Sequence, residues 1–297
     1  MSENTANKHY LSDGIGCVEL LETFGSDLTV VNAARVSFAK ESTEMCLADE
    51  KLINYLAKHN HITPFFHPQI RFRIKMPIFV AREWFRHQIG LARNEVSRRY
   101  VDFDPEHWLP VDGIRARDPK LKQGSKAENI ADNDRVFGLM EDFTKSAVGF
   151  YKDLLALQVA PEVARTVLPQ SMYTEFIETG SLSAYARICA LRLDPTAQKE
   201  IRDYAGMVSR LLEAAFPVSW KALAPKVAEP AEPQQKLLAT TNSIETNEQD
   251  RDIAVTGETM KITIRSAPQK IVEPVQTIDP ISLKKTDAQP HEYQWSC

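Results

Sequence analysis

Cysteine is scarce and scattered. Cys17, Cys46, Cys189 and Cys297 are the only four among 297 residues, and no two form a CxxC pair. That spacing argues against a disulfide framework or a zinc ribbon and leaves reduced thiols, the ordinary state in the cytoplasm. Long apolar runs are also missing, and nothing approaches the roughly 18 consecutive apolar residues of a membrane span. The first ten residues are polar and lack an apolar h-region, so no secretory signal is expected. Charge of one sign is lacking as well. Lys plus Arg is 36 and Asp plus Glu is 40, a net charge of −4, which argues against non-specific nucleic-acid binding as the main task. The expectation is a cytoplasmic protein with neither a membrane nor a nucleic acid as partner. No internal repeat is visible.

Apolar residues at 43% and charged residues at 26% are ordinary for a globular chain, which excludes a mainly disordered protein or a fibre. The length suffices to bury a core without staples. Composition changes near residue 227, where Val-Ala-Glu-Pro-Ala-Glu-Pro-Gln-Gln leads into a stretch rich in Thr, Gln, Asn, Glu and Pro. Such a stretch buries too little apolar area to offset chain entropy. Residues 1–226 are therefore read as one folded domain and 227–297 as a flexible, largely disordered extension. Within that extension, Met260 to Arg265 alternates with period two and could form a short strand.

The first part reads as mixed α and β. Val18 to Phe24 predicts a strand, and Asp27 to Ser37 a helix capped at Ser26/Asp27. Asp49 is placed to cap a second helix that carries Leu52, Ile53 and Leu56 on one face. Gln69 to Lys75 alternates strictly, with Ile70, Phe72 and Ile74 on one side and Arg71, Arg73 and Lys75 on the other. The cationic side is either a solvated strand face or a subunit contact. Pro77 suits the first turn of a helix from Ile78 to about His87. Helical spacing is clearest from Asp134 to Leu157, where Val136, Leu139, Met140, Phe143, Phe150 and Tyr151 predict a core face. A last long helix is expected from Ala197 to Phe216, and a surface loop from Pro105 to Asn133.

The chemistry concentrates between Arg82 and Tyr100. Arg82, Arg86, Arg93, Arg98 and Arg99 are interleaved with His87, Asn94, Glu95 and Ser97. Guanidinium groups present rigid donor forks that match phosphate or carboxylate oxygens. The plain alternative is a solvated charged helix, but Trp84, Phe85, Leu91 and Val96 require the segment to be partly buried. His59, His61 and His67 lie within nine residues, yet no Cys or Asp is placed to complete a metal site, so no metal is expected. An RNA-binding module built on the Arg/aromatic stretch is a further alternative, disfavoured by the acidic total.

The order Arg86-His87…Asn94-Glu95-x-Ser97-x-Arg99 resembles the signature of flavin-dependent thymidylate synthases, Arg-His-Arg-x-x-Ser-x-Asn-Glu-x-Ser-x-Arg. Asn32 to Ser37, His61 to His67, Pro77 to Arg82, Ala164 to Pro169, Leu191 to Asp194 and Ala197 to Ile201 are similar to other segments of that family. The resemblance covers about residues 15–225. It departs at Gln88, where the signature has Arg, at Ala92, where it has Ser, and by one extra residue between His87 and Asn94. Glu83 stands where the family has Gln, Thr196 where it has His, and Arg187 where it has Asn.

The resemblance implies an α/β (α+β) fold, an antiparallel or mixed sheet packed with long helices. It implies conversion of dUMP to dTMP, with methylenetetrahydrofolate as carbon donor and NADPH reducing an FAD cofactor, in a homotetramer with shared active sites. By the same likeness, Thr63, Arg86, His87, Gln88, Asn94, Glu95, Ser181, Ser183 and Arg187 would contact FAD. Glu83, Trp84, Phe85, Arg86, Glu95, Ser97, Arg98, Arg99, Arg165 and Arg192 would surround dUMP, and His61 would lie on the folate side. Arg192 corresponds to the catalytic arginine that polarises the uracil ring. No cysteine lies near the Arg/Ser block, which fits a reaction without a cysteine nucleophile. Cys189 reads as a buried small apolar residue.

Overall fold

The computed structural model describes residues 7–101, 103–119 and 124–224; the Met260–Arg265 strand and the 227–297 extension lie outside them. In chain order these residues form β1 (Lys8–Tyr10), β2 (Cys17–Phe24), α1 (Asp27–Arg35), α2 (Leu47–Lys58), β3 (Gln69–Pro77), α3 (Ile78–Trp84) and β4 (Leu91–Glu95). They continue as β5 (Arg115–Arg117), β6 (Ser125–Asn129), α4 (Asn133–Ala156), α5 (Pro161–Ala164), β7 (Tyr173–Ser181), α6 (Leu182–Arg192), α7 (Lys199–Ala215) and α8 (Pro217–Leu223).

The main sheet has the order β1-β2-β3-β7-β4, and every pairing in it is antiparallel. The alternation in β3 does what the pleat requires. Ile70, Phe72, Ile74 and Met76 are buried and join the core with Val18, Trp84, Tyr185, Ile188, Tyr204 and Val208. Each such side chain removed from water contributes about 1.5–3 kcal/mol. On the opposite face Arg71 pairs with Glu22 at 3.1 Å, Arg73 lies 3.6 Å from both Glu19 and Glu175, and Lys75 reaches Glu106 at 2.5 Å. The cationic side of β3 is thus threaded into cross-strand ion pairs with neighbouring carboxylates.

The helix ends differ from the sequence expectation in instructive ways. Ser26 caps α1, its hydroxyl accepting from Leu28 N at 3.3 Å. Asp27 is buried and accepts from Val218 N and Ser219 N, so it holds the start of α8 as well as the start of its own helix. Asp49 is not the cap of α2. The helix starts two residues earlier, and Asp49 reaches back from the first turn to Cys46 N at 3.1 Å while pairing with Arg35. α3 stops at Trp84 rather than His87, because the bonds tighten into Arg86 N to Glu83 O and His87 N to Trp84 O before a turn at Gly90, φ +77°.

Pro105 to Asn133 is not all loop. β5 and β6 pair into a small antiparallel hairpin, and Arg115 ties it to Glu200 of α7 at 2.8 Å. Arg-Ala-Arg and Ser-Lys-Ala-Glu-Asn carry no apolar alternation, so the pattern gave no sign of it. The α4 helix forms as expected, but its apolar face is not core. Tyr151 is 2% exposed, whereas Leu139, Phe143 and Phe150 are 59%, 65% and 54% exposed. Periodicity establishes that a helix has an apolar stripe and leaves open whether its own chain covers that stripe. Among the described residues no helix is long and apolar enough to cross a membrane.

Candidate active site

The sheet topology brings distant sequence segments to one corner. α3 follows β3 directly, and α6 follows β7, the neighbour of β3. The C-terminal ends of these two helices meet, so that Glu83 in α3 ion-pairs with Arg192, the last residue of α6. Arg192 also donates from Nε to His87 Nε2 at 3.0 Å. Glu83 and Arg192 line a cavity of about 500 Å³ with Leu191, Asp194, Thr196 and Gln198. Burial and then the Arg192, Arg187 and Arg93 charges push the His87 imidazole down to about 4.

The turn from Phe85 to Gly90 runs along α6, with His87 at the end of the helix and Gly90 at its start. Ser181 N donates to Gly90 O at 3.3 Å, and Arg187 Nη2 donates to Ile89 O at 2.6 Å. Ser181 is buried and caps α6, accepting from Ala184 N at 3.1 Å. Glycine is required at two places here. Gly90 has a left-handed backbone. A Cβ on Gly180 would meet Leu91 Cδ2 at 2.3 Å and Gly90 O at 3.2 Å, so Gly180 lets β4 and its turn approach β7 closely. The 3-10 turn Thr63–Phe66 packs against α6, with Thr63 exposed and the Phe66 ring close to Gly90.

Underneath lies a buried ion pair. Arg93 on β4 and Glu178 on β7 are cross-strand partners, and the Arg93 guanidinium sits 5.1 Å from the centre of the Phe85 ring. Trp84 is fully buried, its indole donating to both Glu178 oxygens at 3.2 Å, so its side chain belongs to the core rather than the cavity wall. Phe85 packs on Phe176 with ring centres 4.9 Å apart. Sequence reading missed Glu178, since a glutamate in an unassigned segment gives no signal of burial.

The remaining signature residues lie toward the other end of β4. Asn94 and Glu95 are exposed, and Glu95 accepts from Thr174 Oγ1 at 2.6 Å. The Ser97 hydroxyl accepts from Arg99 N at 3.3 Å; Arg98 is buried and donates to Phe103 O, and Arg99 is 3.6 Å from Glu162. Arg165 is exposed in the 3-10 turn after α5, and Arg86 and Gln88 are exposed in the first cluster. The strand between the two clusters, Leu91 to Glu95, spans about 13 Å. One chain therefore holds two groups of signature residues, Glu83, His87, Gln88, Ser181, Ser183, Arg187 and Arg192 at one end of β4, and Ser97, Arg98 and Arg99 at the other.

Exposed His61 stands with His59 and Tyr55, ring centres 6.4 and 6.1 Å away. Cys189 is fully buried, and burial pushes its thiol far above the ordinary range; Cys17 is buried too, and exposed Cys46 donates its Sγ–H to Asp49 at 3.1 Å. None of the three is placed as a thiolate nucleophile.

The family model described as "Thymidylate synthase complementing protein" matches residues 19–218. A "Flavin-dependent thymidylate synthase" of Thermus thermophilus is 38% identical over 70% of this chain and 75% of its own length. One from Kosmotoga olearia is 40% identical over 70% of this chain and 89% of its own. Among solved structures, the UMP/dUMP methylase PolB from Streptomyces cacaoi bound with 5-Br dUMP superimposes with a TM-score of 0.63 at 30% identity, covering 69% of this chain and 93% of that one. The family model spans well over half of the sequence, and the chain belongs to the thymidylate synthase complementing protein family.

Proposed function

We propose that this chain is a flavin-dependent thymidylate synthase that methylates dUMP to dTMP, with FAD as the flavin, methylenetetrahydrofolate as carbon donor and NADPH as reductant. The observation that carries this reading is Arg192, held beside a cavity by Glu83 and His87 in a chain whose relatives bear that enzyme's name. A fixed cation next to a pyrimidine lowers the energy of negative charge developing on its ring, and preorganised charge of this kind often contributes more to catalysis than any other effect. That is the role proposed for Arg192. Arg86, Arg98, Arg99 and Arg165 supply the forks for the dUMP phosphate, Ser97 a neutral hydrogen-bond donor to the nucleotide, and Glu95 an acceptor for donor groups on its base or sugar.

The donor set at the start of α6 fits a diphosphate-bearing cofactor. Ser183 lies in the first turn of the eleven-residue helix α6 and Arg187 one turn further on, His87 meets the same helix at its last residue, and the glycines at 90 and 180 keep the wall at the helix start low. Thr63, Asn94 and Ser181 complete the proposed flavin contacts. When bound, the flavin supplies the hydride chemistry; the protein's part is to bind, orient and hold charge. His61, with its neighbours Tyr55 and His59, offers exposed rings for the folate side. The buried state of Cys17 and Cys189 supports a reaction without a cysteine nucleophile.

A homotetramer with shared active sites accounts for two features together. The signature residues fall into two groups at opposite ends of β4, and the second group would serve a neighbouring subunit's site. The exposed stripe Leu139, Phe143 and Phe150 on α4 is the kind of surface a subunit contact covers. The catalytic domain would be residues 1–226, with 227–297 as an appended extension. Free thiols at Cys17, Cys46 and Cys189 suit the cytoplasm.

The test is tritium release from C5 of labelled dUMP. Arg192→Ala should lower it by at least about 100-fold, as loss of one preorganised charge does, and Ser97→Ala should weaken dUMP binding. Unimpaired release in Arg192→Ala would refute its assigned role.

A further inference from the structure

We infer that Glu83 is a positioning residue: it anchors the Arg192 guanidinium and, through it, fixes His87 as a neutral imidazole whose single proton sits on Nδ1. Its importance for turnover rests on the function proposed above; the tautomer itself does not.

The geometry leaves little choice. An arginine side chain has donors and no acceptor. The 3.0 Å contact from Arg192 Nε to His87 Nε2 is therefore a bond in which Nε2 accepts, so that nitrogen carries no proton. The remaining proton is on Nδ1. Protonating Nε2 would set two N–H groups, on two cations, against each other. The groups facing His87 are Arg192 and Arg187 from α6, Arg93 from β4, and Glu83 from α3 acting through Arg192. The charge of Arg93 is itself engaged by Glu178 on β7. Three guanidiniums around a ring that is 8% exposed disfavour an imidazolium independently of the hydrogen bond.

Glu83 matters because an arginine on a long flexible stem, held only by a neutral ring nitrogen, is free to swing into the cavity. The carboxylate on Nη1 supplies the second anchor and, with Nε committed to the ring, aims the fork. A neutral His87 then presents a fixed Nδ1–H donor at the turn carrying Gln88 and Ile89, rather than a cation competing with Arg192 for the same anion.

The experiment uses the full-length protein with its histidine nitrogens isotope-labelled, the His87 signals among seven histidines being assigned by their loss in His87→Gln. Long-range proton–nitrogen NMR correlations distinguish the two neutral tautomers and the imidazolium. At about pH 6, where an ordinary histidine is largely protonated, the wild type should show neutral His87 with Nδ1 protonated. Glu83→Gln, whose amide oxygen still accepts from Arg192, should keep that pattern. Glu83→Ala should lose it to a tautomer mixture or an imidazolium. A wild-type His87 with its proton on Nε2, or a Glu83→Ala pattern identical to wild type, overturns the inference.

Kinetics provide the second arm. Glu83→Ala should lower kcat about 100-fold, the scale of a displaced catalytic group, with its acid limb moved to higher pH and KM for dUMP little changed; Glu83→Gln should recover most of the rate. A raised KM at unchanged kcat would make Glu83 a plain substrate contact and overturn the positioning role. A wild type without flavin or methylation overturns the proposed function alone, since the NMR arm still decides the tautomer.

Discussion

Arg93 and Glu178 face each other across β4 and β7, and their ion pair lies under the Phe85 ring with Glu178 fully buried. Trp84 donates to the same carboxylate, so a cation and a neutral donor together compensate one desolvated charge. The pair sits directly beneath the turn that carries His87 and Gln88, which links the stability of the sheet edge to the shape of the candidate site.

Removing one partner of such a pair is worse than removing both charges. Arg93→Met should destabilise the protein by about 3–5 kcal/mol, the range for an orphaned buried charge. Adding Glu178→Gln should restore most of that loss, because the amide oxygen still accepts from Trp84. Urea denaturation of the single and double variants checks this; equal losses in both would contradict it.

His87 makes stability depend on pH. Its folded value of about 4 lies below the ordinary 6.5 that the unfolded chain has. Between these two values unfolding takes up a proton, so the contribution of His87 is complete above 6.5 and is lost as pH falls toward 4. The melting temperature of wild type relative to His87→Gln should therefore drop across that window and level off on either side. A difference that stays constant with pH would count against a neutral, buried His87.

Gly180→Ala probes the close approach of β4 to β7. The new Cβ would collide with Leu91 Cδ2 at 2.3 Å and crowd Tyr185 Cε2 and the Gly90 carbonyl at 3.1 and 3.2 Å. Overpacking of this kind costs about 1–3 kcal/mol. Because the displaced atoms belong to the turn at the start of α6, flavin content should fall together with Tm; calorimetry and visible absorbance on the same preparation test both.

On α4, Phe143→Asp places a charge in the exposed apolar stripe. If that stripe is the subunit contact, light scattering should show a smaller assembly and activity should fall with it. An unchanged assembly would place the contact elsewhere.

Legibility followed physical periodicity. β3 was readable because Ile70, Phe72 and Ile74 alternate with charges, and α4 because its apolar residues keep helical spacing. β7 was not, although it is the strand between β3 and β4. Its interior alternation is Thr174, Phe176, Glu178 and Gly180, flanked by buried Tyr173 and Ser181 at the strand ends, so the interior side reads as polar. α6 was equally silent, being buried at Leu182, Ala184, Tyr185, Ala186, Ile188 and Cys189 with little contrast between its faces. The short strand β4 was hidden inside the Arg-rich block, at the edge of the sheet. For the site, the sequence order supplied the residue types, whereas the Glu83–Arg192–His87 contact needed the antiparallel path that joins α3 to α6.

The most direct measurement is the visible spectrum of the purified protein during reduction. The protein should be yellow, NADPH should bleach the bound flavin, and dUMP should speed the bleaching. A colourless preparation that takes up no FAD, and whose NADPH consumption is indifferent to dUMP, would contradict the account.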